Sequence, residues 1–195
     1  MSKLGGPIRV DVIGKIAEAT LSGLAYLYAN HRIVHQDVEP LKIFVNSRGH
    51  IKLGGFGIPM ELINPVSDAA SEETSPYTAP ERILGKAGTA KSDVWSFGLS
   101  LLELATAIPP FRPDADQRDD DNALAGPLDL SRLIVEGPAP RLPKSDAFPL
   151  ILEHLVEKCL RKVSEERPTP QELLVRLLSR ASLALVIDSA NLKLG

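Results

Sequence analysis

Cysteine is nearly absent from this chain: Cys159 is the only one. No disulfide can form within the chain, and a reducing compartment suits it best. The first residues, Met1-Ser2-Lys3-Leu4-Gly5-Gly6-Pro7, lack the apolar core of a signal peptide. No apolar run is long enough to span a bilayer. Charge of one sign is also scarce. A net charge of −3 and a pI near 5.8 favour neither a nucleic-acid nor an anionic-membrane partner. There is no internal repeat and no low-complexity tract. The expectation is a soluble intracellular protein of the cytoplasm or nucleus, with no nucleic-acid and no membrane partner.

What is present is ordinary globular material. The 195 residues are 44% hydrophobic and 24% charged, which fits one folded domain rather than disorder. A domain of this length can bury roughly 70% of the surface its unfolded chain exposes. From Asp11 to Asn30 the residues Ile13, Ile16, Ala17, Thr20, Leu21, Leu24, Leu27 and Tyr28 recur at helical spacing. Short β-like runs follow at Ile33-Val34, Ile43-Phe44-Val45 and His50 to Leu53, with Asn46-Ser47-Arg48-Gly49 as a turn. Gly54 to Pro80 is weakly patterned and reads as a long loop. Ser92 to Thr106 is apolar nearly all round, as expected of a buried helix, with Ser92 and Asp93 as its cap.

Pro109 to Pro127 reads as a solvated surface segment, with five Asp against one Arg between Asp114 and Asp121. Leu128 to Glu136 predicts a short amphipathic helix and Pro138 to Pro143 an extended stretch. Leu150 to Leu160 predicts another helix, with Leu152, Leu155, Val156 and Cys159 on its inner face. The last clear helix starts on a capping box, Thr169 at the N-cap, Pro170 at N1 and Glu172 at N3. Leu173, Leu174, Leu177 and Leu178 are its expected apolar face, and Leu183 to Ile187 is apolar beyond it.

Five short signatures stand in a fixed order. They are His35-Gln36-Asp37, Gly55-Phe56-Gly57, Ala79-Pro80-Glu81, Asp93-Val94-Trp95-Ser96-Phe97-Gly98, and Arg167 ahead of the last helix. Together they resemble the protein-kinase set: catalytic loop H-R-D, then D-F-G, then A-P-E. The flanks Ile33 to Pro40, Val45 to Leu53, Pro80-Glu81-Arg82-Ile83 and Ile134 to Pro143 resemble a MAP kinase kinase, most closely the fungal mating-pathway branch. The resemblance runs from about Gly5 to Leu178. It implies a mainly α kinase C-lobe with a few short β-strands over 5–180, followed by a tail at 181–195. Within the lobe it implies a catalytic loop at 33–46, an activation segment at 55–81 and an acidic loop at 109–127. The family's glycine-rich loop, strand lysine and helix glutamate precede the segment present here, and no G-x-G-x-x-G occurs in the chain. The N-lobe is therefore expected to be absent.

The same resemblance implies which residues should handle Mg·ATP, and there the chain departs from the pattern. Kinases position phosphate and neutralise its charge, using Mg²⁺ held by the D-F-G aspartate and the catalytic-loop asparagine. Asp37 keeps the candidate base. The phosphate-steadying lysine position is Glu39, the asparagine position is Lys42, and the D-F-G aspartate position is Gly55. Mg²⁺ wants oxygen ligands, so no metal site and no cofactor are expected, although the family uses ATP and Mg²⁺. Gln36 replaces the arginine that binds an activation-loop phosphate, and the activating serines fall at Pro65 and Ala69. An extra residue at Pro76 could shift that register to Ser67 and Ser71.

The structural positions are kept. By resemblance His35 and Phe56 stack in the apolar spine, Asp93 braces the catalytic loop, and Glu81 pairs with Arg167. Asp37 then reads as a turn residue held to its own loop by backbone hydrogen bonds, and Glu39 and Lys42 as partners of each other. Three readings stay open: an inactive kinase-like domain that binds a MAP kinase, an upstream kinase or a scaffold; an active kinase; and the non-functional product of a truncated gene copy.

Overall fold

The structure, a computed structural model, describes residues 6–55, 75–111 and 127–179, with backbone alone over 127–129. Six helices and one two-stranded sheet make up this part. They are α1 (Val10–His31), β1 (Ile43–Val45), β2 (Ile51–Leu53), α2 (Pro80–Ile83), α3 (Ala90–Thr106), α4 (Pro127–Val135), α5 (Leu150–Cys159) and α6 (170–179). Short 3-10 turns stand at Pro40–Lys42 and Ser164–Glu166. The described chain is helix-rich with few strands, as the fold class expected. The acidic stretch 114–121, most of the segment 55–81, and the tail lie outside the described residues.

α3 is the axis. Val94, Trp95, Phe97, Leu99, Leu101, Leu102 and Leu104 are all buried on it, together with Ser92, Asp93, Ser96 and Ser100. A helix this apolar must be covered on every side. α1 packs against one flank and α5 against another, while both 3-10 turns abut it. α1 also covers β2, and its stripe Ile13, Ile16, Ala17, Thr20, Leu21 and Leu24 is buried as the spacing requires. The Ser100 hydroxyl is satisfied inside the helix by the Ser96 carbonyl at 2.8 Å and that of Ser96 by the Tyr77 carbonyl at 2.7 Å, which lets a serine sit in an apolar core.

Several expectations are corrected in detail. α3 starts at Ala90, before Ser92: Thr89 is extended and its hydroxyl accepts from the Lys91 amide, while Ser92 Oγ accepts from the Thr89 amide at 3.1 Å. Ser92 is thus the N3 member of the box and Thr89 its N-cap. The β-like run Ile33-Val34 is reduced to a single β-bridge at Ile33. Arg32 and Gln36 both have positive φ, and the next amides go to a side chain rather than to a ladder. On α6 the Thr169–Glu172 capping box forms in both directions, at 2.7 and 3.3 Å. Leu173 is buried but Leu178 is exposed. Adjacent leucines such as Leu177 and Leu178 lie roughly 100° apart around a helix, so one core cannot hold both.

The sheet fixes the register on which the site depends. β1 and β2 are antiparallel, with Ile43 opposite Leu53 and Val45 opposite Ile51. Beyond the strand ends the Gly54 amide donates to the Lys42 carbonyl at 2.9 Å. This holds residues 42 and 55 as near neighbours.

Candidate functional site: a catalytic loop closed by a lysine

The loop 33–42 is shaped by one buried carboxylate. Asp93, in the first turn of α3, accepts the His35 amide on Oδ2 and the Gln36 amide on Oδ1, each at 2.7 Å. Burial pushes its pKa up to about 7, against the pull of those two amides. Gln36 has φ 65°, a left-handed conformation rare for a side-chain-bearing residue. Such a conformation persists where the surroundings over-determine it, and the Asp93 bond supplies that constraint.

His35 joins the two halves of the site. It is fully buried, and burial holds its pKa below the ordinary imidazole value. Its Nε2 lies 3.0 Å from the Gly54 carbonyl, which can only accept. Its Nδ1 lies 3.3 Å from the Asp37 amide, which can only donate. The ring is therefore neutral with its proton on Nε2. One end of the imidazole holds the backbone of loop 33–42 at Asp37, and the other holds the strand end before Gly55. Phe56, its expected stacking partner, lies outside the described residues, as do Pro65, Ala69, Ser67 and Ser71.

Asp37 and Lys42 face each other, with Lys42 Nζ 3.0 Å from Asp37 Oδ2. This corrects two expectations: Lys42 does not pair with Glu39, and the Asp37 carboxylate is held by an ammonium rather than by backbone amides. The cause is local. Pro40 opens the 3-10 turn, whose Lys42 amide donates to the Glu39 carbonyl at 3.0 Å. The turn swings residue 42 back over residue 37. The hydrogen bond to Asp37 raises the Lys42 pKa above that of a free lysine, so the ammonium is fixed in its charged form. Glu39 is half-buried, and burial first, then the nearby Asp37 charge, raises its pKa.

Gly55 supplies the other wall. It has φ +74°, and a Cβ built there would lie 2.9 Å from Lys42 Cδ, 3.4 Å from Cε and 3.6 Å from Nζ. The lysine stem fills the space a side chain at 55 would need.

The framework around the loop continues into the residues just before and within α2. Tyr77 donates its hydroxyl to Glu103 on α3, and its carbonyl accepts from Ser96 Oγ at 2.7 Å. Glu81 forms a buried ion pair with Arg167 and accepts the Ser92 hydroxyl at 2.8 Å. Arg167 also donates to the Lys91 carbonyl and lies 5.7 Å over the Trp95 ring. Sequence reasoning missed Tyr77, Glu103, Ser92 and Thr89 as members of this framework. The order Thr89-x-x-Ser92 was the signal available for the last two.

Residues 3–177 match the protein kinase domain family. The chain belongs to the protein kinase family. The kinase domain is 58% identical over 176 residues to the mitogen-activated protein kinase kinase MST7 of Pyricularia oryzae, covering 90% of this chain and 42% of that protein. It is 38% identical to the dual specificity protein kinase FUZ7 of Mycosarcoma maydis, covering 86% of this chain and 49% of that protein. It is 36% identical to the MAP kinase kinase skh1/pek1 of Schizosaccharomyces pombe, covering 94% and 49%. The chain therefore spans less than half the length of each of these relatives.

The family works with ATP and Mg²⁺. At the two positions that the resemblance matches to its metal ligands, the chain has a glycine at 55 and a lysine at 42 whose stem stands where a side chain at 55 would begin, and neither side chain offers the oxygen such an ion needs. No group of three or more His, Cys, Asp or Glu that could hold a metal occurs among the described residues. Among them, too, no helix is long and apolar enough to cross a membrane.

Proposed function

We propose that this is a MAP kinase kinase-like protein kinase domain that does not transfer phosphate and acts by binding partners in a kinase cascade. The observation that carries this reading is the Lys42 side chain, paired with Asp37 at 3.0 Å and packed against Gly55. The one acid retained for base catalysis is neutralised, and the cation beside it is part of the chain. A general base must be free to reach the proton it takes, and Asp37 is engaged elsewhere.

The framework that shapes the loop supports a folded binding domain. Asp93 holds the His35 and Gln36 amides, and Glu81 holds Arg167. The names of two relatives, MAP kinase kinases, suggest a MAP kinase as partner, and the family resemblance adds an upstream kinase or a scaffold, in the cytoplasm or nucleus.

The test is a thermal melt of the purified chain, alone, with saturating Mg·ATP, and with ATP plus EDTA. A ligand that binds only the folded state must raise the melting point. The expected result is a cooperative melt unchanged by either addition. A metal-dependent rise, followed by phosphate transfer that is lost in Asp37→Asn, would establish an active kinase instead. Absence of any cooperative transition would favour the product of a decayed gene copy.

A further inference from the structure

Lys42 and Gly55 are separate departures in the sequence, but in space the Lys42 stem stands where a side chain at 55 would begin. The ammonium lies 3.0 Å from Asp37 Oδ2, and the stem lies where the first side-chain carbon of residue 55 would stand. The backbone enforces this proximity, because the Gly54 amide donates to the Lys42 carbonyl just past the Ile43–Leu53 pair. We propose that Lys42 and Gly55 are a compensating pair, in which the lysine ammonium is a tethered replacement for the divalent cation of the site and the glycine makes room for it.

Charge and space both argue for coupling. With Glu39 where the resemblance places a lysine, and no metal ligand at 55, Asp37 would be a carboxylate without a nearby cation beside a second, half-buried carboxylate. Lys42 supplies a positive charge to that place from within the chain. An ammonium is a compact charge on a flexible stem, and the stem needs a path. A residue at 55 with a Cβ would meet it at 2.9 Å. A side chain at 55 and the Lys42 stem thus compete for the same space, and the positive φ of Gly55 adds its own cost to any substitution there. In the proposed pair the stem gives way only at the expense of its bond to Asp37, so that a carboxylate at 55 and a lysine at 42 work against each other. The inference rests on the reading that this site does not use Mg²⁺, and adds why restoring one residue cannot reverse that state.

The experiment uses four versions of the 195-residue chain: the wild type, Lys42→Asn, Gly55→Asp, and the double variant. Mn²⁺ alone is the probe, read by water-proton relaxation enhancement and by thermal melts. The double variant should give a saturable enhancement and a melting-point rise of about 5 °C at a hundredfold excess over its dissociation constant. The wild type and both single variants should give neither. Mn²⁺ binding by Gly55→Asp alone, equal to that of the double variant, would overturn the compensating pair. A folded double variant that ignores Mn²⁺ would overturn it too, while leaving the inactive-kinase reading standing. Binding by the wild type would overturn both.

Should the double variant lose its cooperative melt, an alanine cycle decides. Gly55→Ala should cost less stability in a Lys42→Ala background than in the wild type, because the stem it displaces is gone. Equal costs in the two backgrounds would overturn the proposal.

Discussion

A carboxylate with both oxygens committed to backbone amides cannot be exchanged for its own amide without loss. In Asp93→Asn one of the two amides, His35 or Gln36, would face an NH₂ group instead of an oxygen. A buried donor left unsatisfied costs about 1–3 kcal/mol, and the strained Gln36 conformation would lose its restraint. Urea denaturation at constant pH should show a loss of that size. The pH dependence has a definite sign. The folded Asp93 pKa, about 7, lies above the unfolded value of about 4, so the native state holds the proton more tightly. The stability this group contributes is full below the unfolded value and falls as pH rises through the folded one. The stability gap between wild type and Asp93→Asn should therefore narrow between pH of about 4 and about 7. A gap that widens over that window would contradict the assignment. Asp93 could be singled out from its motif, because its role follows from position alone. The Asp37–Lys42 pair could not. Which of Asp37 and Glu39 meets Lys42 depends on how the Pro40–Lys42 turn rotates the chain, and a charge pattern does not carry that rotation.

At the scale of the element, two helix glycines respond oppositely to the same substitution. Glycine weakens a helix interior by about 1 kcal/mol relative to alanine. On α1 a Cβ at Gly14 would meet nothing within 4 Å, so Gly14→Ala should stabilise by about 0.5–1 kcal/mol. On α3 a Cβ at Gly98 would lie 2.5 Å from Cys159 Cβ and 2.9 Å from Leu160 Cδ2. There the contact of α3 with α5 sets the outcome, and overpacking of this kind costs about 1–3 kcal/mol. Chemical denaturation of both variants checks the contrast, and destabilisation by Gly14→Ala or stabilisation by Gly98→Ala would contradict the packing. The helices themselves were legible, since their apolar spacing extends over several turns: α1, α3 and α5 lie within a residue or two of expectation. Of the β-like run Ile33-Val34 only a bridge at Ile33 forms; a buried valine in an irregular loop has the same apolar signature as a strand residue. The exposed Leu178 was misread because a run of leucines does not say where the helix leaves the core.

At the scale of the whole molecule, one ion pair ties together segments 86 residues apart. Glu81 in α2 and Arg167 beyond α5 are both buried, and the pair is flanked by the Ser92 hydroxyl, the Lys91 carbonyl and the Trp95 ring. Its surroundings settle which kind of contribution it makes. Two charges removed from water recover little net energy from each other, but a single one left behind is strongly destabilising, by about 3–5 kcal/mol. Glu81→Met and Arg167→Met should each fall in that range. The double variant leaves no unpaired charge, so it should be more stable than the sum of the two losses by about 1–3 kcal/mol. It should not regain full stability, because Ser92 and the Lys91 carbonyl still lose their partners. Urea melts of the four proteins close the cycle. Simple additivity would mean the pair does not bind the two segments energetically. A coupling in the expected range would mean that α2 is anchored to α3 and to the turn before α6 independently of the loop that holds Asp37 and Lys42, so this framework can keep its shape whether or not the proposed loss of phosphate transfer holds.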